Sequence, residues 1–124
     1  MCDLHRLVQL HNDERTKSSW FSRPRPELQE DDQLFSYAQK WVEYMAHTNK
    51  LVHSSMRWIA SLGFSNVGEN IAYGAKHEED VMKQWMRSSG HKRNIMDKSF
   101  THIGCGFAKS KKGIPYWCVC FGKK

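Results

Sequence analysis

The chain has 124 residues, with 19 Lys plus Arg against 13 Asp plus Glu, 40% hydrophobic and 26% charged; that suits one domain over 1–124 and leaves no length for a second. Five Trp, four Tyr and six Phe, each removing roughly 150–250 Å² from water when buried, exclude a disordered chain, and no run approaches the ~20 apolar residues of a membrane-spanning helix. The net charge of +6 and pI near 9.3 would suit an anionic membrane surface, yet the excess is scattered. It falls at Lys92 and Arg93, at Lys109, Lys111 and Lys112, and at Lys123 and Lys124, as solubilising charge does on loops and ends. No nucleic-acid-reading motif accompanies it, so nucleic acid is not expected as a partner.

Leu4, Leu7, Val8 and His11 recur at i, i+3, i+4 and i+7, the stripe of a one-sided helix over residues 3 to 17. Pro24, Pro26 and alternating arginines make 18–30 a loop. Asp31 or Asp32 caps a second helix with Leu34, Tyr37, Ala38, Trp41 and Met45 on one face, widened by Phe35 and Val42 and running to about Lys50. A short turn over 57–62 ends at Gly63. Asn66 to Tyr73 is a strand closed by Gly74, and Glu78 to Ser89 is a third helix ended by Gly90, with Val81, Met82, Trp85 and Met86 as its apolar side. Thr101–Ala108 and Tyr116–Phe121 alternate on either side of a Lys-Lys-Gly turn, as the strands of a hairpin do. Helix, helix, strand, helix, hairpin gives an α+β class with helices covering a small antiparallel sheet.

The sequence has no G-x-S-x-G elbow, H-E-x-x-H or P-loop, and Gly104-Cys105-Gly106 lacks the third glycine and following helix of a dinucleotide site. Functional groups gather at chain breaks, where a rigid scaffold aims them. His53, Glu69 and His91 stand at such breaks, and imidazole with carboxylate is metal-binding chemistry. Spacing alone would leave both histidines merely solvated. His5 and His11 lie about 240° apart on one helix and cannot chelate together. His47, His77 and His102 are given no role.

Cys2, Cys105, Cys118 and Cys120 lack the C-x-x-C spacing of structural zinc, and the close pair is a C-x-C on a strand. A Cys118–Cys120 bridge is the least favoured because such neighbours sit near the ~6.8 Å Cα limit; Cys105 with either of them fits better. That favours an oxidising compartment. Leu7-Val8-Gln9-Leu10 is too short for a signal core, so the chain is either a mature secreted form or an intracellular protein with free thiols.

His11-Asn-Asp-Glu-Arg15, Ala38-x-x-Trp41, His53-Ser54, Gly68-Glu69-Asn70-Ile71-Ala72-Tyr73, Trp85-x-x-Ser88-x-Gly90-His91-x-x-Asn94-Ile95, Gly104-x-Gly106-x-Ala108, and Tyr116-Trp117…Phe121-Gly122 together resemble the CAP superfamily. It comprises the cysteine-rich secretory, antigen 5 and pathogenesis-related proteins, also called SCP-like, and the match is to its short bacterial-type branch, from about Leu4 to Gly122. The resemblance implies a single-domain α-β-α sandwich whose central cleft holds two histidines and two acids. His53 and His91 match the histidines, which can bind zinc or another divalent ion, and Glu69 matches one acid. Ser88 stands where the second acid falls, removing a charge that would offset the cation, so weak binding is implied. The resemblance also pairs Cys105 with Cys120, leaving Cys118 for Cys2 or free.

Expected on these grounds is a secreted, monomeric binding protein. Its cleft, lined by His53, Glu69, Asn70, Ser88 and His91, takes a weakly held divalent metal and a small ligand. A lipid or sterol carrier acting at an anionic membrane is the alternative. A metal-dependent hydrolase with Glu69 as base ranks below both, because no third strong ligand is visible. Trp41, Trp85 and Trp117 are expected in the core, Asn70 and Asn94 on backbone around the cleft, and Arg15 on an acid or at the end of the first helix.

Overall fold

The computed structural model describes residues 2–17 and 23–124. In chain order the elements are α1 (Leu4–Thr16), β1 (Gln29–Glu30), α2 (Asp32–Thr48), α3 (Arg57–Ser61), β2 (Asn66–Tyr73), α4 (Glu78–Met86), α5 (Ser89–Ile95), β3 (His102–Lys109) and β4 (Pro115–Lys123). Asp3 and Asp31 cap α1 and α2, their carboxylates accepting from the Arg6 and Leu34 N–H groups at 3.1 and 3.0 Å. Such caps satisfy donors that a helix start leaves without partners. Asn49, with φ of 56°, closes α2 in the left-handed region, where Asn is better tolerated than most residues.

The sheet order is β1-β3-β4-β2, with β3, β4 and β2 antiparallel. Two expectations need correction. The sheet is mixed, because Gln29 and Glu30, expected in a loop, pair in parallel with His102 and Ile103 as a two-residue edge strand; so short a strand has no periodicity to detect. Residues 18–22 of that loop lie outside the described residues. The third helix does not run to Gly90. Its last residue is Met86, Ser88 turns extended (φ −111°, ψ 121°) as the N-cap of α5, and Gly90 lies inside α5. Gly90 has no positive φ, so it does not act as a helix stop.

Alternation along the strands splits the core into two. Ile103, Cys105, Trp117, Val119 and Phe121 face Leu7, Val8, Val81, Trp85 and Ile95 of α1, α4 and α5. Ile71, Tyr116, Cys118 and Cys120 face Leu34, Ala38, Val42 and Met45 of α2. The result is the expected α-β-α sandwich. At Gly104 and Gly106 a Cβ would stand 2.2 Å from the Leu34 carbonyl carbon and 2.6 Å from the Ala38 carbonyl oxygen. These two glycines therefore let the α2 backbone lie directly on β3, and that close approach is what the Gly-x-Gly spacing serves.

Arg15 reaches neither an acid nor the end of its own helix. Fully buried, its guanidinium donates to the carbonyls of Pro26, Ile95, Asp97 and Phe100 at 2.7–3.3 Å. Five donors in a planar fork suit this task. Burial lowers the Arg15 pKa to about 10, so it stays charged at neutral pH. Asn12 works beside it, donating to the Leu28 carbonyl at 3.2 Å and accepting from the Leu28 N–H at 2.7 Å. Trp85 and Trp117 are fully buried, but Trp41 is only half-buried. It stacks on Tyr44 at 4.8 Å and donates through Nε1 to the Val52 carbonyl at 2.8 Å.

Candidate functional site

β2 is an edge strand, and successive residues on it point to opposite helical layers. Glu69 therefore turns toward the α2 side and Asn70 toward α5, so the site forms where the two layers meet at the sheet edge. The Glu69 side chain is 1% exposed, and an unpaired carboxylate there would carry a large desolvation cost. Instead both of its oxygens accept hydrogen bonds. Oε1 accepts from the Ser54 N–H at 2.9 Å and lies 2.8 Å from His53 Nδ1, while Oε2 accepts from the Ser54 hydroxyl at 2.6 Å. His53 itself is 61% exposed, so the buried carboxylate holds one edge of a ring whose other edge meets solvent.

His91, in the first turn of α5, has Nδ1 2.9 Å from the Ser88 hydroxyl. Ser88 thus supplies an orienting oxygen to the imidazole without a charge. The Asn70 amide donates to the His91 carbonyl at 3.0 Å, and the Asn94 amide donates to Asn70 Oδ1 at 2.9 Å and the Glu69 carbonyl at 3.2 Å. These bonds tie α5 to β2. Desolvation, and then the proximity of His53, lower the His91 pKa, which favours the neutral, ligating imidazole.

His53, Glu69, Asn70, Ser88, Gly90, His91 and Asn94 line one cleft of about 290 Å³. Every cleft residue expected from the sequence is there. Ser54, next to His53 in the chain, supplies two hydrogen bonds to Glu69, a loop contact that no periodicity marks. A larger hollow of about 640 Å³ is lined by Cys2, Lys76, His77, Phe107 and Lys109, with no carboxylate among its lining residues.

The disulfide expected between Cys105 and Cys120 is not formed, and all four cysteines are free. Gly104 pairs with Cys120 and Cys105 with Val119, so alternation sends Cys105 to the α1 side and Cys120 to the α2 side. The same sheet separates Cys2, packed on the Cys105 side, from Cys118. Cys118 and Cys120 share a face, yet their sulfurs are 4.0 Å apart, about twice a disulfide bond. Burial raises the Cys105 and Cys118 thiols well above their ordinary pKa, so without a bound cation they stay protonated at neutral pH.

The sequence profile of the CAP, or cysteine-rich secretory protein, family matches residues 8–121. The chain is 38% identical over 113 residues to the uncharacterized protein YkwD of Bacillus subtilis, covering 85% of this chain and 42% of that protein, so it spans less than half of that relative's length. An outer surface protein of Borrelia burgdorferi superposes with a TM-score of 0.84 at 22% identity, over 97% of this chain and 91% of that one. The structure of NaASP2 with Zn²⁺ gives a TM-score of 0.70 at 14% identity, over 97% and 82%. With the profile covering nearly the whole chain and the sandwich matching those structures, this chain belongs to the cysteine-rich secretory protein (CAP) family.

Proposed function

We propose that this chain is a secreted binding domain whose cleft takes a divalent cation on His53 and His91 and, next to it, a small ligand. The observation that carries this reading is the way both imidazoles are held. Each has Nδ1 engaged, by Glu69 or by Ser88, and among the described residues no hydrogen bond occupies either Nε2. Imidazole oriented through one nitrogen and open at the other is the arrangement of metal-ligating histidine. The donor set fits a cation with two nitrogen ligands and solvent in its remaining positions, which accords with weak binding. A relative whose structure carries Zn²⁺ supports the choice of ion. The family's secretory name and an outer-surface relative support the location.

Glu69 has both oxygens committed to hydrogen bonds, so it is built to position His53 rather than to take a proton from water. Binding therefore ranks above hydrolysis. Zinc titration by calorimetry tests the reading: a His53→Ala, His91→Ala double variant should bind one ion fewer per chain than wild type. Equal stoichiometry in the two proteins would refute it.

One observation favours a lipid-surface role as a second reading. Tyr37, Trp41, Tyr44 and Trp58 line an outer groove of about 370 Å³ with Lys40 beside them, and Trp58 and Tyr44 are 48% and 46% exposed. Aromatic rings next to a cation suit the interface of an anionic bilayer. Phosphatidylserine vesicles at low salt should retain wild type and release Trp58→Ser; no retention of wild type would end this reading.

A further inference from the structure

Behind the cleft, on the inner side of Glu69, lies a second set of donors that the two histidines do not share. Glu69 is the cross-strand partner of Cys120, and Cys118 stands two residues away on the same face of β4. The Cys118 and Cys120 sulfurs are 4.0 Å apart, and Cys118 Sγ is 3.9 Å from Glu69 Oε2. One ligand atom from each of the three residues lies within 4.8 Å of the others, and all three residues are buried. A buried cysteine alone behaves as a small apolar side chain. Two thiols and a carboxylate converging from two strands make a donor set instead.

We propose that Cys118, Cys120 and Glu69 form a second cation site, for a thiophilic ion of the Zn²⁺ class. Tetrahedral zinc places two sulfurs bound at ~2.3 Å about 3.8 Å apart, and such a sulfur about 3.5 Å from a carboxylate oxygen bound at ~2.0 Å. The two measured edges meet these spacings with only small side-chain adjustments. Harder ions such as Mg²⁺ and Ca²⁺ favour all-oxygen sites, and thiolate ligands select against them. Binding releases the two thiol protons to solvent and leaves two thiolates and one carboxylate around the dication, a net charge of minus one. His53 Nδ1, 2.8 Å from Glu69 Oε1, donates a hydrogen bond to the carboxylate and spreads part of that charge. A water can complete the fourth position. Glu69 then joins the two sites: an ion held on Oε2 fixes the carboxylate whose Oε1 orients His53. The C-x-C pair has no zinc spacing in the sequence because its third ligand comes from 49 residues away, through the β2–β4 pairing.

The site is enclosed, so loading is tested both by titrating the folded, reduced protein and by refolding with metal. With Co²⁺ as the probe, wild type should develop a thiolate-to-cobalt charge-transfer absorption in the near ultraviolet, displaced by Zn²⁺. The band should be lost in Cys118→Ser and in Cys120→Ala. It should persist in His91→Ala, which disables the cleft but leaves these donors untouched, so failure of the cleft reading and of this one are separable. Should a cysteine variant not fold, X-ray absorption at the zinc edge of loaded wild type decides: two sulfur neighbours at ~2.3 Å are expected. A folded wild type with no charge-transfer band after either loading, or a zinc shell of nitrogen and oxygen only, would overturn the proposal.

Discussion

His11 gives the chain a built-in acid sensitivity whose size follows from its surroundings. The ring is fully buried, 6.0 Å from Trp85 and 5.7 Å from Phe121 by ring centroids. Nδ1 meets the Leu7 carbonyl at 2.8 Å, and Nε2 has no hydrogen-bond partner. Protonation would therefore place a charge among aromatic rings beside the Arg15 guanidinium. Desolvation leads the effect: the pKa falls from 6.5 to about 4, with the Leu7 carbonyl opposing and Arg15 assisting. The folded pKa lies below the unfolded one, so this stability is fully present above pH ~6.5 and is lost as pH falls toward the folded value. The unfolded chain takes up the proton first, and linkage then removes about 2 kcal/mol by pH 5 and about 3 kcal/mol by pH 4. The loss levels off below that. Urea unfolding of wild type and His11→Phe from pH 7.5 to 4 would isolate this contribution, because carboxylate titration is common to both proteins. The wild-type stability should fall about 2 kcal/mol further than that of the variant between pH 7.5 and 5. Parallel curves within about 0.5 kcal/mol would refute the reasoning, as would an NMR titration of His11 near its ordinary pKa.

Gly104→Ala should lower stability by about 3 kcal/mol or prevent folding, because its Cβ meets rigid α2 backbone at 2.2 Å; a thermal melt reads this directly. Arg15→Met should cost at least about 3 kcal/mol in denaturant unfolding by leaving four carbonyls without their donor, and Arg15→Lys should recover only part of it, since one ammonium cannot span the same fork. Ser88→Asp would put a carboxylate on His91 Nδ1, now 2.9 Å from the serine hydroxyl. The NMR midpoint of His91 should rise, reversing its present downward shift, and zinc affinity should increase roughly tenfold in calorimetry.

Patterns of short range were legible in the sequence. The periodicity of Leu34, Ala38, Val42 and Met45, the alternation of 101–108 and 116–121, and the capping aspartate of α2 mark their elements because each depends on neighbours within a turn or a strand. The cleft residues were legible through motif order alone; spacing did not distinguish His53 and His91 from the other five histidines. The break at Ser88 was missed because the apolar side of α4 ends just where a second helix begins, and only the local dihedrals separate the two. β1 was missed because two residues carry no period.

The sequence by itself determined an α+β fold, its main elements and, through motif order, the residues around the cleft. Tertiary structure alone decided which face each cysteine takes, that Arg15 serves four carbonyls rather than an acid, that His11 is sealed among aromatic rings, and that Glu69 meets two thiols. Each of these depends on strand register or helix packing between residues distant in the chain, as far apart as the 110 positions between His11 and Phe121. Pairing register sets the face of every side chain on a strand, and no local spacing records it.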